Sequence, residues 1–186
     1  MSVLKKTAVI DIDNTLWPFS DAFYRELKKI NGRFPTPDQW FNFDIWEGYC
    51  SEEDFFRATD RIHHHQDSGS HQPYPEAREF LSGLRNNHFQ IILASHRVPS
   101  TKSSTERWLA QHSLIYDDLH LSLDKTVLFP DAHVVVDDAP PALEKAAQSG
   151  LLATGLLCPW NQACAGNGFG LFRNLDEVLD YILRNI

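Results

Sequence analysis

Short apolar runs alternate with longer amphipathic stretches along most of the chain. Parallel strands are buried on both faces, so they read as nearly continuous apolar runs joined by crossover helices. The runs of strand length are residues 7–12, 90–95, 118–121, 133–137 and 151–157. The pattern therefore predicts an α/β fold, with a Rossmann-like parallel sheet and flanking helices.

Apolar residues recur at helical spacing between and after these strands. One such stretch begins after prolines and ends at Gly150, which is typical of a helix start and a C-cap. The predicted helices are residues 75–87, 101–112, 139–149 and 175–186. Three of them fall where a parallel sheet needs its crossovers.

Residues 17–75 do not follow this alternation. They are rich in aromatic residues, helical in pattern and broken by Pro35 and Pro37. The stretch is too long for a simple loop. It predicts a small helical cap inserted after the first strand, with residues 1–16 and 76–186 forming the core domain.

Composition narrows the class of protein. The chain has 186 residues, 42% of them hydrophobic and 23% charged, which is ordinary for one soluble α/β domain with a modest appendage. A net charge of −8 argues against a nucleic-acid polymer as ligand. The three scattered cysteines, and the lack of a signal peptide or spanning run, favour a cytoplasmic protein without a membrane partner. The oligomeric state stays open.

Two aspartates follow the first apolar run, in the motif Asp11-Ile12-Asp13-Asn14-Thr15. Alternate positions of a strand point to opposite faces, so both carboxylates can serve one site only where the strand ends. The carboxyl ends of strands are where open α/β sheets build their sites. Asp11 and Asp13 are therefore candidate catalytic residues.

Further polar residues come later in a fixed order. Ser95 closes the second run, Lys125 follows the third, and Asp137 and Asp138 close the fourth. Each has an ordinary structural interpretation, as a helix cap or as a solvated charge. Together they supply a hydroxyl, a cation and a carboxylate pair for one site.

This set suits phosphate-monoester hydrolysis, whose catalysed acceleration can reach about 10²¹-fold. Asp11 can attack phosphorus to form an aspartyl-phosphate, and Asp13 can protonate the departing alkoxide and then deprotonate water. Ser95 and Lys125 can hold phosphate oxygens.

Counting charges predicts a metal ion. Asp11, Asp137 and Asp138 carry about three negative charges before a phosphate dianion arrives, and Mg²⁺ with Lys125 cancels them. We expect the same crowding to raise the pKa of Asp13 and so keep it available as an acid.

The order of these motifs resembles the haloacid dehalogenase (HAD) superfamily of phosphotransferases over nearly the whole chain. The resemblance implies that Asp11 is the nucleophile and Asp13 the acid/base. It also implies that metal ligands come from the Asp11 carboxylate, the Asp13 backbone carbonyl and Asp138, with Asp137 supporting them. Superfamily ATPases place a threonine at position 13, so an aspartate there favours phosphatase or phosphomutase chemistry.

Within the superfamily the chain is most similar to the 5′(3′)-deoxyribonucleotidases of the cytosolic type-C 5′-nucleotidase family. The similarity rests on Trp108-Leu109-Ala110-Gln111-His112, Asp124-Lys125-Thr126-Val127-Leu128 and Val136-Asp137-Asp138-Ala139-Pro140. Asn14-Thr15 and Ala94-Ser95 depart from that family's Gly-Val and Thr-Ser. The resemblance implies base contacts from Phe19 and Trp46 and a nucleoside monophosphate as substrate. The segment from Asp11 to Phe19 also resembles magnesium-dependent phosphatase-1, which lacks so long an insert.

Several alternatives stay open. A sugar phosphate or another small phosphorylated metabolite would use the same chemistry. A response-regulator receiver has its acidic pair early in the chain, so that signalling class is disfavoured, and the intact motifs disfavour a silent relative. The run His63-His64-His65 is interpreted as solvated cap surface rather than as a metal cluster, because consecutive helical residues cannot all face one ion.

Overall fold

The computed structural model describes residues 6–42 and 45–186. Residues 1–5, at the start of the predicted core domain, and 43–44, in the predicted cap, lie outside the described residues. The strands are β1 Lys6–Ile10, β2 Phe89–Ser95, β3 Asp118–Leu121, β4 Val134–Val136, β5 Leu152–Leu156 and β6 Gly170–Phe172. They form one sheet in the order β3-β2-β1-β4-β5-β6, and every pairing is parallel.

Helices pack on the sheet and on one another. They are α1 Phe19–Ile30, α2 Glu52–His64, α3 Ala77–Asn86, α4 Lys102–Gln111, α5 Pro140–Gln148 and α6 Leu175–Asn185. Short 3₁₀ helices cover Pro37–Gln39, Pro99–Thr101, Thr126–Asp131 and Pro159–Cys164. The predicted α/β class is confirmed. None of the helices within the described ranges has the length and apolar content needed to cross a membrane.

Strand β6 is missing from the sequence-based prediction. It has three residues, all half-buried, and it pairs on one side with β5. A strand of three residues that begins with glycine is too short to distinguish from a loop by its sequence pattern. The predicted first strand was also too long, since β1 ends at Ile10 where the chain turns into the Asp11–Asp13 motif.

Both faces of the sheet are covered. Ala8 and Ile10 of β1 pack into one apolar cluster with α3, α4 and α6, while Val9 packs into a second cluster with α5. This burial on two sides explains why the strands read as unbroken apolar runs.

The strand register brings the polar motifs to one edge. Ile10 pairs with Leu93 of β2 and with Val136 of β4, so the residues that follow each strand leave the sheet at similar height. Gly155 on β5 allows a close approach there, because a Cβ atom at that position would lie 1.8 Å from the Asp137 carbonyl oxygen. The backbone of β5 therefore supports the turn that carries the Asp137–Asp138 pair.

The described residues between 17 and 75, namely 17–42 and 45–75, are here called the cap segment, and they lie against the same edge of the core. Helix α2 begins at an N-cap, where Ser51 Oγ accepts a hydrogen bond from the Asp54 amide at 3.1 Å. Helices α1 and α2 pack on each other. Trp17 lies with its ring centroid 5.9 Å from that of Trp108 in α4. The segment thus shares one apolar cluster with the sheet. The division into core and cap domains stays a prediction.

Candidate active site

Three buried carboxylates meet at the carboxyl edge of the sheet. Asp11 follows β1, and Asp137 and Asp138 follow β4. One ligand oxygen from each lies within 4.8 Å of those from the other two. The turn after β1 is held by Asn14, whose φ of 55° is a left-handed conformation that asparagine tolerates well. The structure thus brings together the three carboxylates that the sequence motifs single out, and the roles assigned to them stay predictions.

Lys125 lies inside this cluster rather than on the surface. Its Nζ donates hydrogen bonds to Asp11 Oδ1 at 2.8 Å and to Asp137 Oδ2 at 2.5 Å. The 3₁₀ turn that begins after Lys125 is fixed by Asp124, whose Oδ1 accepts from the Thr126 amide at 2.8 Å. The turn therefore holds the lysine stem so that its ammonium group bridges two aspartates.

The hydrogen bonds show which oxygens of the three carboxylates are already engaged by the protein. Asp137 has both oxygens engaged, since its Oδ1 accepts from the Ala139 amide at 3.0 Å. Asp138 Oδ2 accepts from Asn14 Nδ2 at 3.2 Å and from Trp160 Nε1 at 3.0 Å. Across the described ranges, Asp11 Oδ2 and Asp138 Oδ1 accept no hydrogen bond. These two oxygens are the ones available to a ligand. Trp160 was missed by the sequence analysis.

The cluster carries more negative charge than Lys125 neutralises. Burial raises the pKa of Asp11 to about 7, against the opposing charge of Lys125. Burial also raises the pKa of Asp138 well above its usual range, helped by the charges of Asp11 and Asp137. Burial disfavours the charged form of Lys125, but the two aspartates hold its pKa above the ordinary value. A divalent cation would relieve this excess of charge. An oxygen-only donor set fits Mg²⁺.

Asp13 lies in a different environment from the one predicted. Its carboxylate accepts hydrogen bonds from Trp17 Nε1 at 2.8 Å, from Ser95 Oγ at 3.1 Å, and from Arg97 Nη2 at 2.6 Å and Nε at 3.1 Å. His63 Nε2 lies 3.0 Å from Asp13 Oδ2. The prediction of a raised pKa was wrong for this state of the protein. Burial opposes ionisation, but the Arg97 and His63 charges hold the pKa of Asp13 well below its usual range.

Two of these partners correct the sequence analysis. Arg97 is buried, with 1% exposure, and was not singled out, although it lies only two residues after Ser95. His63 is also buried, so the interpretation of the histidine run as solvated surface was wrong at that position. His64 and His65 are exposed as expected. Helix α2 buries His63 together with Ala58 and Ile62.

All eight site residues proposed from the sequence line one cavity of about 360 Å³, here called the active-site cavity. Ser95 reaches it but donates to Asp13. Phe19 lies with its ring 5.2 Å from those of both Phe23 and His63. Trp46 is half-buried and packs 4.8 Å from Phe55. The base contacts assigned to Phe19 and Trp46 stay predictions.

The raised pKa values predict how stability depends on pH and Mg²⁺. In the metal-free fold Asp11 and Asp138 stabilise when protonated, and Asp11 loses this contribution as pH rises through about 7. The lowered pKa of Asp13 acts in the opposite sense, but only as pH falls below about 4. We therefore expect the rise in Tm on adding Mg²⁺ to be larger at about pH 8 than at about pH 5.5.

At a 100-fold excess over its Kd, a ligand stabilises by about 2.7 kcal/mol, or roughly 5–10 °C for a chain of this size. Thermal unfolding with Mg²⁺ and with EDTA at both pH values measures the effect. Asp138→Asn should lose it, and the surface variant Asp180→Asn should keep it. An equal Mg²⁺ effect in all three proteins would contradict this metal site.

Solved structures with this fold are known, although no family model and no curated protein matches the sequence. One is a haloacid dehalogenase-like family hydrolase from Streptococcus pneumoniae, with a TM-score of 0.68, 16% identity, and coverage of 96% of this chain and 98% of that one. A predicted phosphatase from Clostridium acetobutylicum has a TM-score of 0.70, 17% identity, and coverage of 98% and 100%. A HAD-hydrolase from Bacillus subtilis, bound to magnesium, has a TM-score of 0.63, 17% identity, and coverage of 98% and 99%. The chain therefore has the fold of HAD hydrolases.

Proposed function

We propose that this protein is a Mg²⁺-dependent phosphomonoesterase that acts through an aspartyl-phosphate. One observation carries the proposal. Asp11 lines the active-site cavity with its Oδ1 held by Lys125 and its Oδ2 free of hydrogen bonds, and its carboxylate lies within 4.8 Å of those of Asp137 and Asp138. A nucleophile, a cation and a metal ligand thus meet at one point. The partner is a small phosphate ester, and we place the protein in the cytoplasm.

The reaction has two steps. Asp11 Oδ2 attacks phosphorus, the ester P–O bond breaks, and the departing alkoxide takes a proton from Asp13. Water then attacks phosphorus, the bond from Asp11 to phosphorus breaks, and Asp13 accepts the proton released by water. The bound phosphate dianion brings negative charge beside Asp13, and like charges raise a carboxyl pKa. For Asp13 to take up this proton, one of its present donors, such as Ser95 Oγ, has to turn to the phosphate as the ester binds.

The residues around phosphate have distinct tasks. Lys125 and Ser95 hold phosphate oxygens, and Asp137 orients Lys125 through its 2.5 Å contact. Asp11 and Asp138 would hold Mg²⁺ together with the Asp13 backbone carbonyl. Bound there, the ion supplies positive charge that offsets the carboxylates and the phosphate.

The part of the cavity that the cap segment lines favours a leaving group with a flat ring. Apart from Asn42, Thr59 and His63, the cap segment lines the cavity with apolar side chains. They are Phe19, Phe23, Trp40, Ile45, Trp46, Phe55 and Phe56. Sugar hydroxyls placed against these rings would lose water without gaining partners, whereas a stacked base gains about 1–3 kcal/mol. Nucleoside monophosphates are therefore the proposed substrates.

The direct test is phosphate release across deoxy- and ribonucleoside monophosphates, sugar phosphates and glycerol phosphate. We expect the highest kcat/KM for a nucleotide, loss of activity with EDTA and recovery with Mg²⁺. A higher kcat/KM for a sugar phosphate would contradict the proposed nucleotide substrate but not the proposed reaction. Full activity in EDTA would contradict the metal requirement.

Phe19→Leu tests the base contact. The change keeps most of the bulk and removes the aromatic face, so we expect kcat/KM for nucleoside monophosphates to fall by roughly 5–150-fold. Activity on glycerol phosphate should hardly change. Phe34→Leu is a matched control, because Phe34 is also buried in the cap segment and does not line the cavity. An equal loss on both substrates would make Phe19 a packing residue.

A further inference from the structure

Arg97 is a deeply buried charged residue beside the active-site cavity, and the proposed reaction gives it no role. Its guanidinium forms a two-pronged contact with Asp13, from Nη2 to Oδ1 at 2.6 Å and from Nε to Oδ2 at 3.1 Å. Arg97 is 1% exposed and does not line the cavity. A substrate in the cavity therefore meets Asp13, and the arginine lies behind it.

The guanidinium is itself fixed from the other side. Arg97 Nη1 donates to Gln66 Oε1 at 2.5 Å and to Thr105 Oγ1 at 2.9 Å. Thr105 is anchored in turn, because its hydroxyl donates to the Thr101 carbonyl at 3.0 Å. Gln66 follows α2 of the cap segment, and Thr105 lies in α4 of the core. The arginine is thus held by both parts of the molecule.

This arrangement restricts Asp13 more than a single contact would. A planar guanidinium that meets a carboxylate with two parallel hydrogen bonds fixes the plane of that carboxylate as well as its distance. Proton transfer requires the two heavy atoms to come within about 2.6–3.2 Å. A carboxylate free to rotate would spend less time at that geometry.

We propose that Arg97 is a positioning residue for the reaction: it fixes the orientation of the Asp13 carboxylate from behind, without touching substrate. The inference rests on the proposed function. It goes beyond that function because the sequence motifs and the cavity lining do not include Arg97. It also gives a reason for the buried Gln66–Arg97–Thr105 chain, which packing alone does not require.

The test compares two esters. A poor leaving group, such as an alkoxide, needs a proton from Asp13 as it departs. A good leaving group, such as p-nitrophenolate, departs with little help from an acid. Arg97→Met is therefore expected to lower kcat for the best alkyl phosphate by about 10²-fold, with KM changed less than threefold and with a loss below tenfold on p-nitrophenyl phosphate. Arg107→Met is the matched control, because Arg107 forms an exposed ion pair with Asp67 and lies outside the cavity. It should retain kcat on both esters.

A double-mutant cycle separates action through Asp13 from other roles. If Arg97 acts through that carboxylate, adding Arg97→Met to Asp13→Asn should lower kcat by less than threefold. An additive loss, an equal loss on both esters, or a rise in KM at constant kcat would each overturn the inference.

Arg97→Lys is measured in parallel, in case the methionine variant fails to fold. Lysine keeps the buried positive charge but cannot form the two parallel hydrogen bonds of the guanidinium. We expect the lysine variant to show the same ester-dependent loss in kcat at near-wild-type Tm. Full kcat in that variant would overturn the inference. A different result would contradict the proposed function itself, namely that the Asp11→Asn variant retains turnover.

Discussion

Asp11→Asn is expected to reduce turnover by on the order of 10⁵-fold or more, the scale seen when a covalent enzyme loses its nucleophile. The amide keeps the shape of the side chain but cannot attack phosphorus. Lys125 retains its 2.5 Å contact with Asp137, so the fold should survive. Phosphate release under saturating Mg²⁺ and substrate measures the loss, and thermal unfolding checks the fold.

The matched control is Asp124→Asn. Asp124 is an exposed carboxylate one residue from Lys125, and asparagine can still accept from the Thr126 amide. We expect that variant to keep wild-type turnover. Asp11→Asn within tenfold of wild type would rule out the covalent mechanism.

Lys125→Met is expected to damage both stability and activity. The change leaves Asp11 and Asp137 buried without their cation, and breaking a buried ion pair from one side typically costs about 3–5 kcal/mol. It also removes a donor to the transferring phosphate, worth about 10²–10³-fold in kcat. Urea unfolding and kcat at saturating Mg²⁺ measure the two effects.

Comparison with Asp138→Ala separates charge stabilisation from metal binding. The Asp138 variant should need much more Mg²⁺ for half-maximal activity, while the Lys125 variant should stay impaired at any Mg²⁺ concentration. If excess Mg²⁺ restored the Lys125 variant and did nothing for the Asp138 variant, the two assignments would be wrong.

The parts of the site that follow strands could be predicted from the sequence. Asp11, Asp137 and Asp138 each come directly after a run of apolar residues, and parallel strands place such positions at one edge. The parallel sheet could be predicted from the same apolar runs, whereas β6 was too short to be recognised as a strand. The sequence was sufficient to predict these features because the geometry of parallel strands alone determines them.

The environment of Asp13 could not be predicted in this way. Counting carboxylates near it in sequence predicted a raised pKa, but the decisive neighbours are 50 and 84 residues further on, at His63 and Arg97. Which side of α2 faces the core, and which way a buried arginine points, depend on packing between the cap segment and α4. An ion pair across such a distance leaves no local pattern.

The central claim is that Asp11 becomes phosphorylated during turnover. The most direct measurement is mass spectrometry of protein quenched in acid during steady-state hydrolysis of p-nitrophenyl phosphate with Mg²⁺, followed by borohydride reduction to mark the acyl-phosphate position. The account predicts that a fraction of the wild-type chain gains the mass of one phosphoryl group, that the reduced residue is Asp11, and that Asp11→Asn gains none. Turnover without any covalent phosphoryl group, or a phosphoryl group on another residue, would contradict it.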